Sequence, residues 1–137
     1  MSITVIDLIT DTLQEINVID ANEAPSPEQG QKTLRRLNQM LAEWERDGIR
    51  LGYYRQTDLE ATMPIPEYAE LGVTLCLAVN IAPSYGIEPI QALIVQATNF
   101  YAALAKQSLE YFESDMTQLP MSDLGPLSSS GYPFNGI

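Results

Sequence analysis

Residues 26–49 read SPEQGQKTLRRLNQMLAEWERDGI, and this stretch decides the fold. Ser26 stands where a helix N-cap needs a short side-chain acceptor. Pro27 fits the first helical position, and Gln29 completes a Ser-x-x-Gln capping box. Leu34, Leu37, Leu41 and Trp44 then recur at helical spacing, with Met40 beside them, and form one apolar stripe. Gly48 stands where a left-handed C-terminal cap favours a residue without a β-carbon, and Ile49 can close that cap hydrophobically. Start, stripe and stop agree on one amphipathic helix to about Asp47.

Upstream, Asp20, Asn22, Pro25 and Ser26 mark a connector. Before it, the spacing predicts a first helix over about Thr4 to Ile16, with Ile6, Ile9, Leu13 and Ile16 on its buried face. Asp7, Asp11 and Glu15 fall on another face as a solvated acidic stripe. Downstream, Tyr53, Arg55, Thr57 and Leu59 alternate with Tyr54, Gln56 and Asp58, which predicts a short extended arm or strand ending at Pro64 and Pro66. A third helix is expected over about residues 67 to 82, with Leu71, Leu75, Ala78 and Ala82 on one side and Gly72 permitting a close neighbour. Pro83-Ser84-Tyr85-Gly86 is a breaker. Pro89 opens a fourth helix to about Glu113, with Ile90, Leu93, Ile94, Ala97, Tyr101, Leu104 and Ala105 available for burial. The fold class read from this pattern is all-α: a four-helix core with a short extended arm between the second and third helices.

The chain of 137 residues suits one domain, and 45% hydrophobic residues suffice for one core. No apolar run approaches the roughly 20 residues that cross a bilayer, so no membrane partner is expected. Asp7 and Asp11 interrupt the apolar N-terminus, so a signal peptide is not expected and synthesis is placed in the cytoplasm. There is no histidine, and Cys76 is the single cysteine, so neither the usual zinc sites nor the usual general base of nucleophilic catalysis is present. No metal, cofactor or catalytic residue is assigned. Cys76 lies in an apolar run without a nearby cation and reads as an inert core thiol.

The formal charge of −11 is unevenly spread. Residues 32–55 hold six of the seven cations, Lys32, Arg35, Arg36, Arg46, Arg50 and Arg55, while the segments on either side are acidic. The overall sign argues against a protein that grips DNA, because phosphate affinity comes from clustered Lys and Arg. The basic segment reads either as a solvated helix face with local ion pairs or as a contact patch for an acidic neighbour, including another copy of this chain.

From about Asp115 to Ile137 the composition changes. Pro120, Pro126, Pro133, Gly125, Gly131 and Gly136 argue against a regular element. Leu119, Met121, Leu124, Leu127, Tyr132, Phe134 and Ile137 are interspersed, whereas disordered linkers are usually poor in such residues. The expected division is a helical domain over residues 1–114 and an extended C-terminal docking arm over residues 115–137, ordering on a partner.

The segment Ile19-Asp20-Ala21-Asn22-Glu23-Ala24-Pro25-Ser26-Pro27-Glu28, the pattern Leu34-x-x-Leu37-Asn38-x-Met40-Leu41-x-x-Trp44-x-x-Asp47-Gly48-Ile49, and Leu77-Ala78-x-x-Ile81-Ala82-Pro83-x-Tyr85-Gly86 together resemble a known family. It is that of the head-to-tail adaptors of short-tailed bacteriophages, also described as tail accessory or packaged-DNA-stabilising proteins. The likeness covers about residues 4 to 110. It implies a structural, non-enzymatic protein of the virion's head–tail junction, assembled as a ring, commonly of twelve copies, beneath the portal protein. Such a ring extends the DNA channel, helps retain the genome and offers a platform to nozzle and tailspike or fibre proteins. DNA passes through without sequence-specific contact, and an acidic lining would repel phosphate. C-terminal extensions in such adaptors typically dock on the portal. Ser26, Trp44, Gly48 and Pro83 read as folding devices within the shared motifs.

Two readings compete. A cell-wall glycan hydrolase would need two carboxylates about 5 to 10 Å apart across a cleft; Glu43, Glu67 and Glu70 are candidates, but nothing marks a cleft. An acidic DNA mimic would need a regular carboxylate array, which the basic segment at 32–55 interrupts.

Overall fold

Residues 67–81 are apolar on nearly every side, and a helix of that kind must be surrounded. In the computed structural model, which describes residues 3–117 and side chains as far as residue 110, that is its position. The elements are α1 (Val5–Glu15), α2 (Pro27–Arg46), α3 (Glu67–Ile81) with a 3-10 turn (Ala82–Tyr85), and α4 (Gln91–Thr117). Among the described residues α3 packs against α1, α2, α4 and the 3-10 turn, while α4 has α3 as its helical neighbour.

The two sides of α3 feed two cores. Ala69, Val73 and Leu77 meet Val5, Leu8, Ile9 and Leu13 of α1, the α2 stripe of Leu34, Leu37, Met40, Leu41 and Trp44, and Leu104 of α4. Leu75, Ala78 and Ile81 meet Ile16, Leu93 and Ala97. Each fully buried large aliphatic side chain contributes roughly 1.5–3 kcal/mol. A β-carbon added at Gly72 would lie 3.2 Å from the Phe100 side chain, so the bare backbone there lets α4 come close.

The ends of α2 form as its sequence predicts. Ser26 Oγ accepts from the Gln29 N–H and Gln29 Oε1 from the Ser26 N–H. At the other end Gly48 has φ +98°, the Gly48 N–H donates to Glu45 O and the Ile49 N–H to Trp44 O, the two bonds of a Schellman motif. The end of α1 uses the same device with Asn17 at φ 60°, where the Val18 N–H donates to Leu13 O. Asn tolerates this region better than most residues.

Several expectations are corrected. Ile6 is half-buried, and Val5, Leu8 and Thr12 complete the buried face of α1 instead. Thr12 and Thr33 sit in the core because their hydroxyls donate to carbonyls four residues back, Leu8 O and Gln29 O. Leu71 is 55% exposed although it shares a face with Leu75 and Ala78, because it lies near the N-terminal end of α3, a turn before the buried contacts of that face begin at Leu75. Ile90 is 70% exposed and precedes α4. The arm over residues 50–66 is extended but forms no strand among the described residues; a lone antiparallel bridge joins Thr4 and Thr62. Along it Gln56 is buried and Arg55 exposed, against the alternation. Finally, α4 continues past Glu113, so Asp115, Met116 and Thr117 are helical and the 114/115 division falls inside it. No proline or glycine stands before Pro120 to stop the helix.

Trp44 is 6% exposed and meets Tyr101 edge to face, with ring centroids 5.3 Å apart. Trp44→Ala should therefore cost about 3–5 kcal/mol. Chemical and thermal unfolding of the variant should show this loss with an unchanged helical spectrum below the transition; a parent-like midpoint would place Trp44 outside the core.

Candidate interaction surfaces

The six cations of residues 32–55 divide into two sets. Lys32 and Arg36 lie one turn apart on α2 and face the C-terminal end of α3. The ammonium of Lys32 donates to Ser84 O at 3.2 Å and stands 4.4 Å from the centre of the Tyr85 ring. The guanidinium of Arg36 donates to Asn80 O at 2.9 Å, to Asn80 Oδ1 at 2.7 Å and to Ser84 Oγ at 3.0 Å. A helix end carries unsatisfied carbonyls and partial negative charge. The last turn of α3 has no basic residue of its own, so α2 supplies the charge. Pro83 sits in the 3-10 turn they hold, which Gly86 closes in the left-handed conformation.

Arg35, Arg46, Arg50 and Arg55 are exposed. Arg46 Nε lies 3.6 Å from Asp47 Oδ1 with both side chains open to solvent, a pair of small energetic weight. Asp47 also accepts from the Tyr101 hydroxyl at 3.1 Å. Burial, and then this carboxylate, raise the Tyr101 pKa. A cavity of about 200 Å³ opens beside these groups, where Trp44 and Leu41 meet Ile49, Arg50, Leu51 and Tyr53.

The arm that presents Arg50, Tyr54 and Arg55 is fixed by one buried amide. Asn38 Nδ2 donates to Gln56 O at 2.9 Å, and its Oδ1 accepts from the Gln56 N–H at 3.0 Å and from the Tyr53 hydroxyl. Burial pushes the Tyr53 phenol up to about 12. Farther along, Ala61 O and Leu59 O accept from the Val5 and Ile6 N–H groups, each at 2.8 Å, while the Met63 N–H donates to Ile3 O. The arm thereby satisfies donors at the open N-terminus of α1. The sequence signals this role of Asn38 only as a polar residue inside the apolar stripe of α2.

Between α1 and α3 runs an acidic groove of about 420 Å³, lined by Asp11, Glu15, Glu70 and Leu71 with Ile3 and Thr74. Partial burial, and then the neighbouring Asp7 charge, raise the Asp11 pKa. One Glu70 carboxylate oxygen is screened from solvent and has no hydrogen-bond partner. The candidate glycosidic carboxylates are not gathered in one cleft: Glu43 borders a separate cavity with Arg36 and Asn80, and Glu70 borders this groove. The Cys76 thiol is half-buried, donates to Ala97 O at 3.3 Å, and is pushed up by burial to about 11, so little of it is thiolate at neutral pH. Among the described residues no helix is long and apolar enough to cross a membrane. The apolar residues assigned to the docking arm, Leu119, Met121, Leu124, Leu127, Tyr132, Phe134 and Ile137, lie outside the described residues.

Two measurements follow from these contacts. Asn38→Ala leaves the buried Gln56 N–H and C=O without partners, at about 1–3 kcal/mol for each group. Denaturant unfolding should show that loss, and hydrogen exchange should quicken at the arm amides; unchanged exchange there would mean that Asn38 does not hold the arm. An acid whose folded pKa is raised binds its proton more tightly when folded, so its ionisation weakens the fold as pH rises through the ordinary carboxylate range. Asp11→Asn should therefore raise the melting temperature at neutral pH and lose that advantage in strong acid. A gain of equal size at both ends of the pH range would refute this.

The model of a protein family described as the P22 tail accessory factor matches residues 4–122. No match was found among curated proteins. The family match takes in all four described helices and continues past the motifs that first suggested such a likeness. The chain belongs to the P22 tail accessory factor family and is a structural protein of a phage tail.

Proposed function

We propose that this chain is a head-to-tail adaptor, one subunit of a ring, twelvefold as the family likeness implies, seated beneath the portal at the head–tail junction. The observation that carries the reading is the family match across the whole helical core. The geometry agrees with it. Among the residues whose side chains are described, Leu104 and Ala105 are the last of α4 packed on the main core, while Lys106, Leu109 and Glu110 are exposed. In this reading α4 joins the bundle to the C-terminal segment that carries the proposed portal anchors.

In this reading the bundle extends the DNA channel and its lower side receives nozzle and tailspike or fibre proteins. The net charge of −11 lets DNA pass without adhering, since phosphate binding requires neutralising cations. The exposed arginines among the acids also interrupt any carboxylate array that would imitate a phosphate backbone. The segment that follows α4 acts as the docking arm. Because neighbours in a ring bind at high effective concentration, attachment is weak for one chain and strong for the assembled ring.

A chain ending at Thr117 retains every described helix and lacks all seven anchors. It should keep its helical circular dichroism and fail to co-sediment with portal rings that capture the full chain. Equal capture of the two would remove the docking-arm assignment, and failure of the full chain to bind portal rings would remove the adaptor reading itself.

A further inference from the structure

The exposed cations and the acidic groove are complementary surfaces on one molecule. Arg50 and Arg55 are solvent-facing and, among the described residues, held by no hydrogen bond or ion pair. Between them Tyr54 is 67% exposed, an aromatic ring on an arm that Asn38 keeps in place. The groove offers the converse: the carboxylates of Asp11, Glu15 and Glu70 beside Ile3 and Leu71, the latter 55% exposed.

We propose that the groove between α1 and α3 receives the basic arm, Arg50, Tyr54 and Arg55, of a second copy of this chain. The setting rests on the ring reading above; the pairing of surfaces rests on their opposite charge and on the exposed Tyr54 and Leu71. The Asp11 and Glu15 carboxylates stand open to solvent along the groove. A guanidinium or phenol arriving from outside can donate to them. Two arginines against three carboxylates also counter the repulsion between copies that each carry −11. Tyr54 and Leu71 add apolar area that is open to solvent on the single chain. Because the two surfaces differ, the contact is head-to-tail, and repeating it generates a closed ring or an open filament. An exposed ionic contact of this kind is screened by salt, so association weakens as ionic strength rises.

Arg55→Lys keeps the charge and introduces an amine that a zero-length carbodiimide can join to a carboxylate. Chains bearing it, mixed in light and heavy nitrogen forms, are cross-linked at high concentration and again on portal rings, then digested and mapped by mass spectrometry. Mixed-isotope cross-links from position 55 to Asp11, Glu15 or Glu70 are expected, more abundant at low salt. Asp11→Lys with Glu15→Lys should lower the yield at Glu70 about tenfold or more. Charge reversal on the other surface, Arg50→Glu with Arg55→Glu, should abolish association of that chain with itself and restore it when it is mixed with the Asp11→Lys/Glu15→Lys chain. All four altered positions are exposed, so circular dichroism should show the fold retained. Cross-links confined to single chains, to other carboxylates or to portal peptides overturn the proposal. A portal-bound ring whose mixed-isotope links lie elsewhere overturns it while leaving the adaptor reading intact. Mixed links at these residues without ring assembly support it and remove the ring.

Discussion

The structure depends on one constraint, the need to cover α3. Its buried residues lie on two sides of the helix, Ala69, Val73 and Leu77 on one and Leu75 and Ala78 on the other, so no single neighbour can shield it. The requirement is met by α1 and α2 on one side and α4 on the other, with Gly72 letting α4 approach to contact distance at Phe100. The N-terminal end of the helix, where Tyr68 and Leu71 face outward, is left open, Leu71 lining the acidic groove. Covered along most of its length but not at that end, the helix leaves apolar side chains at the surface, and exposed apolar patches mark sites where partners bind.

Around that helix, chain ends and electrostatics are managed locally where the sequence permits and from a distance where it does not. The Ser26–Gln29 box and the Gly48 motif close α2 with residues within a turn of its ends. By contrast, Ala61 O and Leu59 O, far along the chain, accept from the first N–H groups of α1. The C-terminal end of α3 likewise receives its compensating charge from Lys32 and Arg36 on α2. These long-range contacts tie the arm and the 3-10 turn to the bundle. A surface formed by Arg50, Tyr54 and Arg55 can therefore be presented in one arrangement, which reduces the ordering cost of binding.

The division of the basic segment also reconciles its two readings. Lys32 and Arg36 serve the fold, through bonds to Asn80 and Ser84. Arg35, Arg46, Arg50 and Arg55 remain at the surface, available to an acidic partner. For a tail protein assembled from many like-charged copies, unevenly distributed charge lets association be specific in orientation without making the surface adhesive to DNA.

The sequence by itself determined the helices, because periodicity and caps act over a few residues. Ser26, the leucine stripe, Trp44 and Gly48 were sufficient for α2, and proline with glycine marked the break at residues 83–86. It also carried the family, through motifs in which capping and core residues recur together. What it left open was which side of each helix faces which neighbour. Leu71 and Ile90 have apolar side chains at plausible spacing yet stand exposed, while Thr12, Thr33 and Asn38 are polar yet buried. Burial is set by the opposing element, and a hydroxyl or amide enters the core once a particular carbonyl or N–H satisfies it, as Leu8 O satisfies Thr12 and the Gln56 backbone satisfies Asn38. The acidic groove has the same origin. Asp11 and Glu70 are far apart in sequence, and only the packing of α1 against α3 brings their carboxylates to one surface.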